Sequence, residues 1–590
     1  MFPGYAQGQA TGELRGPGPI DLTVDKARPM IDGRPGHALA VNGTIPGPLI
    51  RLREGEDVEL RVHNALRGHD TSIHWHGILL PPAMDGVPGV SFAGIKPSET
   101  FVYRFPVVQS GTYWYHSHSG LQEQSGVYGP LVIDAAEPES FTYDREYVVM
   151  LTDWTFQDPE FVLRTLKGSA GAYNYQRRTV ADVLGKKDGM SPADAAAWGK
   201  MRMDPTDIAD VTGAAYTYLM NGHGPVDGWS GRFVPGERVR LRLINGSAMT
   251  YFDVRIPGVR MTVVEADGQP VEPVVVDELR IAVAETYDVI LHMEEEGAYT
   301  IFAETMDRSG FARGTLASAD GLTAPIPERR VRGVRTMADM GMGDMSGMNM
   351  EAGGGAMGAE PMSGGAMGGG TESTQPAEST QPAEPMGDMG GHDMGDMGGH
   401  DMGDMGGTPP ATKPTRHRHG AGSTGSAMQP VSRLHEPGIG LEDAPWRVLT
   451  YADLGAPAPF EDLRPPSRDL ELHLTGNMER YMWSFDGKKY SQVDGPIVFT
   501  YGERLRLVLV NDTMMEHPIH LHGMWMELEG TRGRNRPRKH TVSVKPGERL
   551  STLISADALG DWAFHCHLLY HMEMGMFRVV SVRAAARVAP

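Results

Sequence analysis

Cysteine is nearly absent: Cys566 is the only one in 590 residues. That excludes an intramolecular disulfide, and with it a disulfide-stapled fold or a Cys-rich zinc module. Long apolar runs are missing as well. None approaches the ~20 residues that a helix needs to cross a bilayer, so no membrane span is expected. Positive charge is in deficit, with 54 Lys and Arg against 75 Asp and Glu and a formal net charge of −21. Such a balance argues against nucleic acid as a partner and is compatible with cations, metal ions among them. The opening stretch, "MFPGYAQGQATGELRGPG", lacks the basic-then-apolar pattern of an export leader. Helical periodicity is scarce too.

In its place stand short alternating segments bounded by Gly and Pro. "DVELRVHN" (57–64), "RVRLRLING" (238–246) and "RLRLVLVND" (504–512) alternate side chains with the period of two of half-buried strands. They share a longer frame. "LREGEDVELRVHN", "FVPGERVRLRLIN" and "TYGERLRLVLVN" each read as a turn, Gly-Glu, an alternating strand and Asn, preceded by "AVNGTIPGP", "YLMNGHGPV" and "SFDGKKYSQVDGP". Three copies of one strand-turn pattern predict three related β-domains, at about 18–137, 138–325 and 440–585. The length agrees, since single cores rarely exceed roughly 250–300 residues.

Residues 336–430 differ in character. Methionine is almost their only apolar residue, and "GDMGGHDM" recurs at 387–394 and 395–402 with a partial copy at 403–407. This composition cannot bury enough apolar surface to offset the entropy of ordering, so a disordered insert is expected. Sixteen of the chain's 37 methionines lie between Met337 and Met428. A thioether strip of this kind suits extra Cu(I), a soft ion, although a low-complexity linker would also explain it.

Outside residues 336–430, eight of the 22 histidines form four His-x-His pairs: His74 and His76, His116 and His118, His520 and His522, and His565 and His567. In a strand, residues i and i+2 share a face, so each pair projects two imidazoles in one direction. Two pairs lie in the first domain and two in the third. If those domains face each other, eight imidazoles converge and suit copper or zinc. The cysteine decides between them. In "HCH" Cys566 points opposite to its neighbours, free to bind a separate metal with His517, His571 and a weak axial Met576. Two His, one Cys and a distant Met are the ligand set of a blue-copper electron-transfer site, and zinc has no use for the methionine. Cys566 would then join an electron-accepting copper to a cluster able to reduce dioxygen fully.

"HWHG", "HSHSG", "HPIHLHG" and "HCHLLYHMEMGM" resemble, in order and spacing, the four copper-binding motifs of the multicopper oxidases. "TSIHWHGILLPPAMDGVPG", "GTYWYHSHSGLQEQSGVYGPLVI", "NDTMMEHPIHLHGMW" and the Met-rich insert are similar to the bacterial copper-resistance protein A subgroup. The resemblance implies an all-β fold of three cupredoxin-like Greek-key β-barrels and four copper ions. Type 1 copper would be held by His517, Cys566 and His571, with Met576 axial, and type 2 by His74 and His520. The binuclear type 3 pair would take His76, His116 and His567 on one ion and His118, His522 and His565 on the other. The second domain has no His-x-His pair and is expected to bind no catalytic copper. Asp85 matches the family's proton-relay acid, although an Asp in a Gly/Pro turn is also common for local bonding. The family's second acid directly follows the last type 1 histidine. Met572 stands there, leaving Glu573 one residue on as the substitute.

Asp512, Met514, Met515 and Glu516 precede His517, where they could hold a substrate copper ion or simply pack a strand end. The implied reaction couples oxidation of Cu(I) to four-electron reduction of dioxygen to water. Oxidation of small phenols, as by a laccase, and copper sequestration are the alternatives. Relatives of this kind are exported, which implies the periplasm or cell envelope, and a monomer is expected.

Overall fold

The computed structural model describes residues 12–342 and 422–585, apart from 180, 183, 184, 186–189, 424 and 531. Strands dominate it, and the fold is the expected all-β one of cupredoxin-like sheet pairs. The first pair comprises a five-stranded and a four-stranded sheet, the second a six- and a five-stranded sheet, and the third again a six- and a five-stranded sheet.

The Gly-Glu strand is central each time: Asp57–Asn64, Glu237–Asn245 and Arg504–Asn511. It pairs in parallel with Ile20–Ala27, Arg145–Thr155 or Asp469–Asn477. On its other side it pairs antiparallel with Thr100–Pro106, Thr286–Met293 or Arg549–Ser555. Alternation sets the buried face, as with Val58, Leu60 and Val62 in the first copy. Each such side chain contributes about 1.5–3 kcal/mol relative to exposure.

The Asn that closes each copy has a shared task. Asn64 Nδ2 donates to the carbonyls of His69 and Ile95, Asn245 to those of Thr250 and Ile281, and Asn511 to those of Met515 and Val544. Each amide ties the loop after its strand to a more distant segment, a strand of the neighbouring sheet in the second and third copies, and in the third this fixes the approach to His517.

The second domain departs from the strand pattern at two helices. Asp158 caps Pro159–Gly168 by accepting from Glu160 N, and Ser191 caps Pro192–Met201 by accepting from Asp194 N. This domain also carries buried ion pairs, with Asp253 between Arg280 and Arg308. Its turn at Asp267 and Gly268 reaches both other domains. Gly268 O accepts from Tyr113 Oη, and Asp267 accepts from Thr541 N.

Most of the expected insert, 343–421, lies outside the described residues. Its margins pack against the third domain. Met340 is buried, and Met337 and Met342 rest on the same core. Gln429 N donates to Gly341 O at 2.9 Å, and Ala427 N donates to Asp512 Oδ1 at 2.8 Å. Both ends of the insert therefore meet beside residue 512. No helix among the described residues is long and apolar enough to cross a membrane.

Candidate metal centre

His74–His76 forms a short edge strand antiparallel to Gly111–His116, with Trp114 opposite His76 and His116 opposite His74. In the third domain His517–Leu521 runs beside Gly560–Cys566, with His520 opposite His565 and Ile519 opposite Cys566. Alternation then separates the roles. Trp75 turns into the first core against Tyr103 and Tyr115, while its flanking histidines face outward together.

All eight paired histidines meet in one cluster, buried except for half-buried His118. Within it, the rings of His76, His116 and His567 lie 4.9–5.6 Å apart. Those of His118, His522 and His565 lie 5.0–5.3 Å apart. His74 and His520 are 5.9 Å apart.

Outer nitrogens are anchored. His74 Nδ1 donates to Asp85 O at 2.7 Å, His520 Nδ1 to His540 O at 2.7 Å and His522 Nδ1 to Asp85 Oδ2 at 2.9 Å. Inner nitrogens are not. Nε2 of His74, His116, His118, His520 and His567, and Nδ1 of His76, have no hydrogen-bond partner among the described residues. Leaving one such group buried and unpaired costs about 1–3 kcal/mol, so six together demand an occupant. Burial first, and repulsion between the rings second, push His76, His116, His118, His520 and His565 down, which keeps them in the neutral form that ligates metal. The residues fit imidazole-loving metal ions.

The second centre lies on the other face of the Cys566 strand. Cys566 Sγ is 3.6 Å from His517 Nδ1 and 3.8 Å from His571 Nδ1, and those nitrogens are 3.2 Å apart. His517 Nε2 bonds Thr513 Oγ1 at 2.7 Å, and His571 Nε2 donates to Asp210 Oδ2 at 2.7 Å. Met576 is buried alongside, its carbonyl accepting from Cys566 N at 3.1 Å. Burial pushes the Cys566 thiol up, so only a metal would keep it as thiolate there.

Multicopper oxidase family models match residues 23–138, 145–320 and 463–586. The chain is 54% identical to a copper resistance protein A homolog of Pseudomonas syringae pv. tomato, covering 95% of this chain and 92% of that one. It is 52% identical to copper resistance protein A of Escherichia coli, with the same coverage of 95% and 92%. The fold resembles that of a multicopper oxidase that functions in iron import, with a TM-score of 0.63, 17% identity, and 96% and 90% of the two chains covered. The chain belongs to the multicopper oxidase family. It is an oxidoreductase with copper cofactors and dioxygen as acceptor.

In this multicopper oxidase Asp85 touches a histidine from the first domain and one from the third. Its Oδ2 accepts from His522, and its Oδ1 lies 3.3 Å from His74 Nδ1. Burial alone would raise the Asp85 carboxyl, yet His522 and His74 hold it well below the usual carboxylate range. The next residue, Gly86, has φ +82° and no room for a Cβ, which would sit 1.9 Å from Ile73 O. Glu573 does not join the cluster. It ends the helix Leu569–Glu573, exposed to solvent, with Glu160 and Lys167 as its charged neighbours.

The four residues before His517 are engaged elsewhere. Asp512 Oδ2 bonds His473 Nδ1 at 2.7 Å, while its Oδ1 accepts from Ala427 N. Glu516 faces Arg335 and Arg280, and Met514 and Met515 lie in the main core. Each carboxylate oxygen of Asp512 thus already has one partner, and both methionines are buried.

Three residues were missed by motif reading. Asp210 lies 361 positions from the histidine it caps. Glu123 Oε2 is 2.6 Å from His116 Nδ1, and burial, with Asp153 second, pushes its carboxyl up. His540 is buried with its ring 4.7 Å from His76. None carries a local sequence signal.

The buried imidazoles set a pH dependence for the copper-free protein. Burial holds His522 down to about 4 and His567 down to about 3, against about 6.5 in the unfolded chain. Between those values the unfolded state binds more protons, so stability falls with falling pH. Thermal midpoints of copper-free protein are expected to drop steadily from pH 7 to 4. A flat profile would count against neutral buried imidazoles.

Proposed function

We propose that the enzyme oxidises Cu(I) to Cu(II) and reduces dioxygen to water, four substrate ions and four protons being consumed per dioxygen. His517, Cys566, His571 and Met576 would hold type 1 copper, and His74 with His520 type 2. His76, His116 and His567 would hold one type 3 ion, and His118, His522 and His565 the other. Copper bound there would supply one-electron redox chemistry and the place where dioxygen is reduced. The chain's own residues would do the rest. Cys566 is one peptide bond from His565 and from His567, a short covalent bridge between the centres. Asp85 orients His522 and would hold a proton-accepting charge beside the cluster.

The observation that carries Cu(I) as donor is the burial of His571. Its outer nitrogen is capped by Asp210, itself 3% exposed. A phenol would need to reach that edge, whereas a carboxylate favours a small cation. The 54% identical relative named for copper resistance supports the same reading, and with it the periplasm or cell envelope as location.

The test compares oxygen uptake with Cu(I) and with a phenol before and after excision of 344–420. Gly341 and Gln429 are hydrogen-bonded, so a short Gly/Ser turn can bridge the gap, whereas a cut beginning at 337 would remove buried Met340. Excision is expected to slow Cu(I) turnover and leave phenol turnover unchanged. Unaltered Cu(I) turnover would remove the insert from the delivery of substrate, and faster turnover of the phenol than of Cu(I) in the intact enzyme would favour a laccase.

A further inference from the structure

Thr541 and His540 lie behind the histidine cluster with no role in the ligand set, yet the Thr541 hydroxyl touches three imidazoles. Its Oγ1 is 3.4 Å from His76 Nε2, 3.3 Å from His520 Nδ1 and 3.1 Å from His540 Nδ1. A hydroxyl has one hydrogen and two lone pairs, so at most two of these nitrogens donate to it and one accepts.

The donors follow from the anchors already described. His520 Nδ1 lies 2.7 Å from the His540 carbonyl, which can only accept, so that nitrogen carries a hydrogen. His76 Nδ1 has no hydrogen-bond partner among the described residues; His116 Nδ1 also has none but lies 2.6 Å from Glu123 Oε2, so of the two only His76 has a free Nδ1 with its Nε2 beside Thr541. With a metal on that nitrogen, its Nε2 must carry the hydrogen, and Thr541 Oγ1 is the acceptor beside it. His520 shares its one Nδ1 hydrogen between the His540 carbonyl at 2.7 Å and Thr541 Oγ1 at 3.3 Å, so together with His76 it engages both lone pairs of the hydroxyl. The Thr541 hydrogen is left for His540 Nδ1, so His540 carries its own hydrogen on Nε2. That Nε2 is buried without a partner, and the His540 ring lines a water-sized cavity together with His74, Gly77, His520 and Trp525.

We infer that Thr541 and His540 form a hydrogen-bond chain of fixed direction, from His76 through Thr541 to His540. Thr541 is a positioning residue that keeps His76 in its ligating tautomer. His540 presents an N–H donor to a water molecule or hydroxide in the cavity beside His74 and His520. The second domain takes part through Asp267, which accepts from Thr541 N at 3.2 Å and pairs with Lys539 at 3.1 Å. The domain without copper ligands thus fixes the strand that carries the chain. The inference rests on the ligand assignment proposed above.

Two measurements test it. Long-range proton–nitrogen correlation spectra of histidine-labelled, copper-free full-length protein report tautomers directly. His540 protonated at Nε2 is expected, and the Nδ1 tautomer would overturn the proposal. Thr541→Val removes the hydroxyl at nearly constant volume. It is expected to weaken copper binding at the cluster about ten- to a hundredfold and to change the electron paramagnetic resonance of the type 2 ion. The blue absorption of the Cys566 site should persist, and Thr541→Ser should restore the rest. A Thr541→Val protein with wild-type affinity and spectrum, or a Thr541→Ser protein as impaired as Thr541→Val, would overturn the proposal. A His76→Gln control keeps the two readings apart. If His76→Gln retains full cluster copper, the ligand assignment fails. If it loses copper while Thr541→Val does not, only the hydrogen-bond chain fails.

Discussion

Cys566→Ser is expected to abolish the blue absorption and to lower oxygen uptake at least about a thousandfold, about 4 kcal/mol in barrier. The copper content should fall by one ion per chain, because a serine hydroxyl does not replace a soft thiolate. Folding should survive. The substitution is nearly isosteric, so the packing around position 566 is kept, although the two imidazole nitrogens, 3.6 and 3.8 Å from Sγ, lie beyond hydrogen-bond reach of the new hydroxyl. The midpoint of the copper-free protein is expected to move by no more than a few degrees. A Cys566→Ser enzyme that keeps even a tenth of its turnover would mean that electrons reach the histidine cluster by another route. Cells carrying the variant give a second readout. Copper tolerance should be lost with activity, and full tolerance without activity would favour sequestration by the Met-rich strip.

The parts of this enzyme that were legible in the sequence are those that obey a short period. Strand alternation placed the three Gly-Glu strands, and the same period put His565 and His567 on one face and Cys566 on the other. Spacing also brought His517 and His571 to the thiol, because the helix Leu569–Glu573 follows the strand directly. What escaped was held by distance. Asp210 comes from a loop after two helices that interrupt the second domain, and it meets His571 only once the domains dock. Glu123 and Thr541 belong to no pair or repeat, and their importance lies in which nitrogen they approach. Glu573 shows how a helix decides where a neighbouring position faces. One residue from the expected position, on a helix, is a rotation of about 100°, and it carries the side chain to solvent.

The same reasoning explains the insert's margins. Composition alone marks 336–430 as unable to bury a core, and it cannot register single residues that borrow one. Met340 does so, filling a place beside Gly547 whose Cα lies 3.3 Å from the position a Gly341 Cβ would take. Sequence composition averages over a window, whereas packing is decided residue by residue.

Asp85→Asn is the second large effect. The native carboxylate engages His522 from the third domain at 2.9 Å and His74 from the first at 3.3 Å. An asparagine offers one acceptor oxygen in place of two and no charge. Loss of such an orienting partner weakens metal binding about ten- to a hundredfold, so the variant must be assayed after full loading with copper. A further fall in turnover of about 10²–10⁴-fold is then expected if the carboxylate serves proton transfer. Turnover restored to wild type by copper loading alone would reduce Asp85 to an orienting role. Stability gives an independent check with a defined sign. The Asp85 carboxyl is depressed in the folded copper-free protein, so its stabilising contribution is complete above the unfolded value of about 4 and is lost as pH falls toward the folded one. Copper-free Asp85→Asn should therefore melt below the wild type at pH 7, and the difference should shrink in acid. A gap that widened on acidification would reverse the sign and sink the account of a carboxylate held ionised between two histidines.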